Sequence, residues 1–225
     1  MVTIIHGDDV VSSRNFFLAQ KKSNEPILNG ENLTFTQLVQ SLEGGSLFGE
    51  EKVLLIENFF LKNSDAEIRT IANYVEKHTA FQFLFWEGKK LLQKHRSCFK
   101  DPVIKQFLLP TVLFTFLQSV RPNNKNSVLL LHKTIATTAV ELVFSLLIRQ
   151  FRLLLAVMDG STNTIEEVKR LASWQLASLT RQANLFSVEE LKTAYQKLFT
   201  IEKGLKTGTL PSTLVQSIDF FLADL

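Results

Sequence analysis

Three short, almost unbroken apolar runs dominate the first half of the chain: Val2–Ile5, Val53–Ile56 and Phe81–Trp86. Runs of this length, rich in Val, Ile and Phe, suit strands covered on both faces, as in a parallel sheet. Between them the apolar residues recur with helical period. Phe35, Leu38, Val39 and Leu42 fall at i, i+3, i+4 and i+7, behind a Thr34/Gln37 capping box. Ile68, Ile71, Ala72 and Val75 repeat the pattern behind Ser64/Glu67. Strands alternating with helices predict a βαβ layout with right-handed crossovers over residues 1–109.

From Leu108 onward no strand signal recurs, and the spacing predicts an all-α bundle of about five or six helices over residues 110–225. Capping boxes fall at Thr164/Glu167 and Ser187/Glu190. Val188, Leu191, Tyr195 and Leu198 form one stripe. Pro211 suits a first helical position, where its missing N–H costs nothing. Leu214, Ile218, Phe221, Leu222 and Leu225 make a final apolar face. The junction falls at Leu108-Leu109-Pro110, with a short linker and no internal repeat.

A chain of 225 residues that is 45% hydrophobic can build a substantial core, and its composition is not that of a disordered protein. Nineteen Phe against two Tyr and two Trp make the aromatics mainly packing residues. The net charge of +3 is compatible with a nucleic-acid machine without being diagnostic, and there is no basic tail. A single cysteine, Cys98, can form neither an internal disulfide nor a zinc site, which fits a reducing cytoplasmic setting. The start, MVTIIHGDDVV, lacks the charged and long apolar regions of a signal peptide. The greasiest stretch, Leu142–Met158, is interrupted by Arg149, Gln150 and Arg152, which argues against a membrane span.

A strand followed by Gly7 invites a comparison with the nucleotide-binding loop G-x-x-x-x-G-K-[ST], whose backbone N–H groups and Lys cradle phosphates. Aligned on Gly7, the chain reads GDDVVSSR. Ser12 replaces the second Gly, Ser13 the Lys, and Arg14 the metal-holding Ser/Thr. Asp8 and Asp9 add negative charge where a triphosphate would sit. Glu57-Asn58 closes the second strand with one carboxylate where a hydrolase presents a pair, and Gly88-Lys89-Lys90 lacks an upstream Gly. The outline of a nucleotide hydrolase is present with a degenerate loop, so no nucleotide or other cofactor is expected. His6, His78, His95 and His132 are scattered without metal-ligand spacing. His6 reads as a turn or packing residue, and Cys98 as a packed or partly exposed thiol.

One stretch in the first half of the chain and three in the second carry a resemblance to a known family. Ser41-Leu42-Glu43-Gly44-Gly45-Ser46-Leu47-Phe48-Gly49, running on through Glu50-Glu51-Lys52 into Val53–Asn58, resembles the S-L-F-G segment of the DNA polymerase III delta subunit. Leu147–Leu155 is similar to that family's R-Q-x-R-L-L helix. Arg181–Leu191 and then Glu202-Lys203-Gly204-Leu205-Lys206-Thr207-Gly208 follow in the family's order, the latter similar to D-x-x-I-K-T/S-G. The resemblance spans most of the chain.

The resemblance implies a non-catalytic subunit of the bacterial clamp loader, part of a nucleotidyltransferase holoenzyme. Its α/β domain (1–109) would be an inactive AAA+-like module, and residues 110–225 the helical collar used for oligomerisation. Leu47 and Phe48, with Ser46, would plug an apolar pocket on the sliding clamp (beta) and help open it for loading on primed DNA. The flanking glycines permit such a display. Arg149, Arg152 and Lys206 would serve the collar and its contacts with the gamma/tau ATPase and delta-prime subunits, with no metal and no membrane. One departure from the family is that no room remains for a helical lid between the two domains.

Alternatives stay open on the residues themselves. Leu47 and Phe48 could be core residues joining helix to strand. Arg149 and Arg152 could pair with acidic neighbours inside the collar or contact another subunit. Lys203 and Lys206 could be solvated helix-end charges or part of a DNA-facing surface. A degenerate nucleotide-binding enzyme, ATPase or kinase-like, is the competing function, while a delta-prime-like stator lacks its zinc cysteines here.

Overall fold

The apolar runs become the middle of a five-stranded parallel sheet. In the computed structural model, which describes residues 1–21, 26–43, 53–160 and 165–225, the strands are β1 (Val2–Gly7), β2 (Ile27–Asn29), β3 (Val53–Glu57), β4 (Gln82–Glu87) and β5 (Val103–Phe107). Their order is β2-β3-β4-β1-β5, all parallel. The three predicted strands are the three interior ones, which explains their unbroken apolar character. The edges read differently. β2 has only three residues, and sequence periodicity misses it; β5 is largely exposed.

Alternation along the strands divides the core. Ile5, Leu55, Leu84 and Trp86 face α1 (Val10–Ala19), whose Phe17 is fully buried against them. Ile4, Leu54, Ile56, Phe83 and Phe85 face α2 (Phe35–Glu43) and α3 (Asp65–Lys77). There they meet Leu38 and Leu42 of α2, and Ile68, Ile71, Ala72 and Val75 of α3. Phe59, Phe60 and Phe85 form a triangle with ring centroids 5.2–5.4 Å apart, and each buried side chain of this size contributes roughly 1.5–3 kcal/mol. The Thr34/Gln37 and Ser64/Glu67 capping boxes form as expected. A short helix, α4 (Gln93–Arg96), precedes β5.

The chain divides into two units, Met1–Leu109 and Pro110–Leu225. Three residues, Leu108, Leu109 and Pro110, separate β5 from the first helix of the second unit. That unit contains, among the described residues, seven helices rather than five or six: α5 (Thr111–Ser119), α6 (Asn126–Ile135), α7 (Val140–Met158), α8 (Glu166–Lys169), α9 (Ser173–Ala183), α10 (Val188–Thr207) and α11 (Leu214–Ala223). The undercount comes from one-turn α8, too short to show a period.

The greasy stretch 142–158 is α7, the central helix. It packs against α5, α6, α9, α10 and α11. Phe151 of α7 makes edge-on contacts with Phe186 and Phe221, at 5.8 and 5.4 Å between centroids. Among the described residues no helix is long and apolar enough to cross a membrane. Ser187/Glu190 caps α10. Thr164 lies outside the described residues, and Glu167 is engaged elsewhere. Pro211 is not a first helical residue. α11 starts after Thr213, whose side chain accepts from Gln216 N–H while the Gln216 side chain bonds back to Thr213. This reciprocal cap sets the boundary two residues beyond the proline.

Candidate functional site

Parallel sheets present ligands at the carboxyl ends of their strands, so the β1–α1 loop is the place to ask what the degenerate loop does. Gly7 has φ +148°, and a Cβ there would lie 1.7 Å from the Phe107 carbonyl oxygen. The glycine is required by the close approach of β5, a demand independent of any phosphate. Asp9 N–H donates to Phe107 O at 3.3 Å, and the Asp9 carboxylate accepts from Ser12 N–H at 3.0 Å. A helix N-terminus attracts anions, and here the chain's own carboxylate occupies it. Ser13 is buried. Its hydroxyl donates to Val10 O and accepts from Trp86 Nε1, each at 3.1 Å. Arg14 pairs with Glu57, its guanidinium 4.5 Å from the Trp86 ring centroid and 5.6 Å from that of Phe17. Of the loop residues singled out by sequence, Gly7, Ser13 and Arg14 are thus all committed to neighbouring strands or to α1.

Sequence inspection missed Glu87. It ends β4 beside His6 in the sheet register and is only 2% exposed. Burial pushes its carboxyl up to about 6, although the N–H groups of Phe60, Phe59 and Leu61 favour the charged form. Phe60 N–H reaches Glu87 Oε1 at 2.5 Å. The carboxylate thereby anchors the turn after β3, where Asn58 adopts φ +58° and donates its N–H to Trp86 O at 3.0 Å. The only sequence signal was an acid closing a buried aromatic strand.

The histidines are separate. His6 is fully buried, and its Nδ1 accepts from Leu91 N–H at 3.3 Å. Burial, then the nearby Arg96 charge, lowers its pKa. His78 Nδ1 lies 2.8 Å from Tyr74 O, His95 stacks on Phe60, and His132 faces Asp219 at 3.1 Å. Among the described residues no group of His, Cys, Asp and Glu is placed to hold a metal ion. Cys98 is half-buried, its Sγ donating to His95 O at 2.9 Å, and burial pushes the thiol up to about 11. Ser46, Leu47 and Phe48 lie between α2 and β3, outside the described residues.

In the helical unit Arg149 and Arg152 converge on one carboxylate. Arg149 Nε donates to Glu167 Oε1 at 2.5 Å, and Arg152 donates to Glu167 Oε2 at 2.6 Å. Burial alone would raise the Glu167 carboxyl, but hydrogen bonds and charge from both arginines leave it below its ordinary value. Gln150 between them donates to Gln182 Oε1 at 2.6 Å. Gln182 Nε2 in turn donates to Leu117 O and Val120 O, each at 2.8 Å, closing the end of α5. The Arg149–Arg152 segment therefore braces α7 to α8 and, through Gln182, to α9 and α5. Lys206 is not part of this cluster; it is exposed and pairs with Glu202 at 2.6 Å along α10.

Fold and site together define a two-part protein, a parallel α/β unit whose nucleotide-loop position is filled from within, followed by an all-α unit. Residues 113–223, nearly all of the second unit, match the family described as DNA polymerase III delta subunit, C-terminal domain. Over those residues the helical unit is similar to this family. Among solved structures, the Bacillus subtilis DNA clamp loader delta protein (YqeN) is similar at 12% identity and a TM-score of 0.48, over 99% of this chain and 94% of that one. No curated protein matches.

Proposed function

We propose that this chain is the delta-type arm of a bacterial clamp loader, which binds the sliding clamp and helps open it for placement on primed DNA. The observation that carries the reading is the family match over residues 113–223. The α/β unit supports it. A strand–loop–helix resembling an AAA+ module is present, while Asp9 caps α1, Ser13 is buried against Trp86 and Arg14 pairs with Glu57. Such a unit serves as a scaffold, and the ATP that times opening would be bound by gamma/tau neighbours. Leu47 and Phe48, with Ser46 beside them, form the clamp contact in this reading. Burying such a pair contributes about 3–6 kcal/mol before association costs, enough to make it a hot spot. An arm that binds the open ring better than the closed one shifts the ring toward opening without hydrolysis of its own.

The helical unit is the collar. Arg149 and Arg152 shape it through Glu167, and Lys206 stands at the surface facing neighbouring gamma/tau or delta-prime subunits. The complex works in the cytoplasm and reaches DNA as an assembly. A pull-down with the purified clamp tests the reading: the wild type retains the clamp, and Leu47→Ala/Phe48→Ala loses it with unchanged circular dichroism. Undiminished retention by the double variant would refute the clamp contact. Low-micromolar ATP binding abolished by changing Ser12 or Ser13 would favour the enzyme alternative.

A further inference from the structure

Lys203 and Gly204, near the end of α10, help to enclose a cavity that none of the roles above uses. It lies between α10 and α11, with a volume of about 530 Å³, within the ~300–1,000 Å³ common for ligand sites. Ile201, Leu210, Pro211 and Phe220 give it an apolar lining, and Phe220 is 66% exposed. The two glycines shape it. Gly208 ends α10 at φ +69°, and Thr209 N–H donates to Gly204 O at 2.9 Å. A Cβ on Gly204 would meet Leu210 Cδ1 at 3.2 Å, so the bare backbone lets Leu210 close the end of the cavity. The opposite wall is pinned by the Ser212 and Ser217 hydroxyls, 2.8 Å apart, and by the Thr213/Gln216 cap. Walls fixed in advance lower the ordering cost of binding.

The rim carries one net positive charge, since Lys197, Lys203 and Asp224 all line it. Lys197 is paired with Asp224 at 3.2 Å, whereas Lys203 is exposed and makes no ion pair among the described residues. Residues 110–225 carry 12 Lys/Arg against 9 Asp/Glu, and residues 1–109 carry 13 of each. The whole net charge thus belongs to the helical unit. An apolar slot beside an unpaired lysine on a net-basic unit complements an acidic chain bearing a large apolar side chain. We infer that the groove between α10 and α11 binds an acidic peptide segment of a partner protein, with a Leu or Phe side chain against Leu210 and Phe220 and a carboxylate on Lys203. The clamp contact involves other residues, so either assignment can fail alone.

The test uses the full chain and a fluorescein-labelled peptide of alternating aspartate and glycine that ends in Leu-Phe, followed by fluorescence anisotropy. Saturable binding is expected. Lys203→Glu and Phe220→Ser should each weaken it about tenfold or more. Lys203→Arg should retain it, and Arg170→Glu, the same charge change just past the end of α8, should leave it intact. Replacing Leu-Phe by serines, or the aspartates by lysines, should abolish binding to the unaltered protein, a readout that needs no variant to fold. Absence of saturable binding would overturn the inference, as would equal binding by the altered peptides or equal loss in Arg170→Glu. Preferential displacement by an oligothymidylate, or a dimer that Phe220→Ser dissociates, would assign the groove to another occupant and also overturn it.

Discussion

Glu87→Gln should stabilise the α/β unit at neutral pH and lose that advantage in acid. The carboxyl is 2% exposed, and burial raises it from 4.5 to about 6. For an acid raised by folding, the favourable contribution is present below the unfolded value and disappears as pH climbs through the folded one. Between pH 4.5 and 7.5 the wild type should therefore lose about 2 kcal/mol at this position. Glutamine keeps an oxygen for Phe60 N–H and carries no charge, so it escapes that loss. Burial lowers His6 and His95, whose neutral forms are favoured, so their contributions weaken as pH falls below the ordinary histidine value. Both remain in the variant and cancel in the difference. Urea unfolding followed by Trp86 fluorescence, in a Trp174→Phe background, reads this unit selectively; Trp174 is 69% exposed and tolerates the change. The stability difference, variant minus parent, should grow by about 2 kcal/mol from acid to neutral pH. A difference independent of pH, or one that shrinks, would show that the N–H groups of the turn depend on the negative charge and would refute the argument.

Buried side chains elsewhere in the protein set two further outcomes. Gln182→Leu removes the donor to Leu117 O and Val120 O and the acceptor for Gln150; chemical denaturation of the helical unit should show a loss of about 2–4 kcal/mol. Cys98, pushed up to about 11, should react with a disulfide reagent at pH 8 far more slowly in the native protein than in urea, and equal rates would contradict its burial.

The fold class was legible because its signals are local. Val2–Ile5, Val53–Ile56 and the stretch around Phe83–Trp86 each lie inside the sheet, where both faces demand apolar residues. The Ser64/Glu67 and Ser187/Glu190 boxes mark real helix starts because each is complete within four residues. Ile27–Asn29 escaped notice since an edge strand of three residues has no period to detect. Pro211 misled because a proline's tolerance for a first turn is weaker than the reciprocal Thr213/Gln216 bonds that start the helix. The site was less legible, since its contacts are remote in sequence. Arg14 meets a carboxylate 43 residues away, and the partners of Glu87 lie 27 residues upstream. Spacing rules cannot pair such groups before the sheet order is known. Arg149 and Arg152 were recognisable as motif residues, but their shared partner across the α7–α8 connection was not.

The position of α7 has a consequence for how the helical half comes apart. Five other helices lean on it, so removing any one bares side chains on the axis they share, and the remainder loses its support. Melting should be cooperative, with the slowest-exchanging amides of this half concentrated in α7 and lost together. A stepwise fraying, with one outer helix opening while the rest persists, belongs to repeat arrays in which each layer touches only the next; this bundle is organised as a hub.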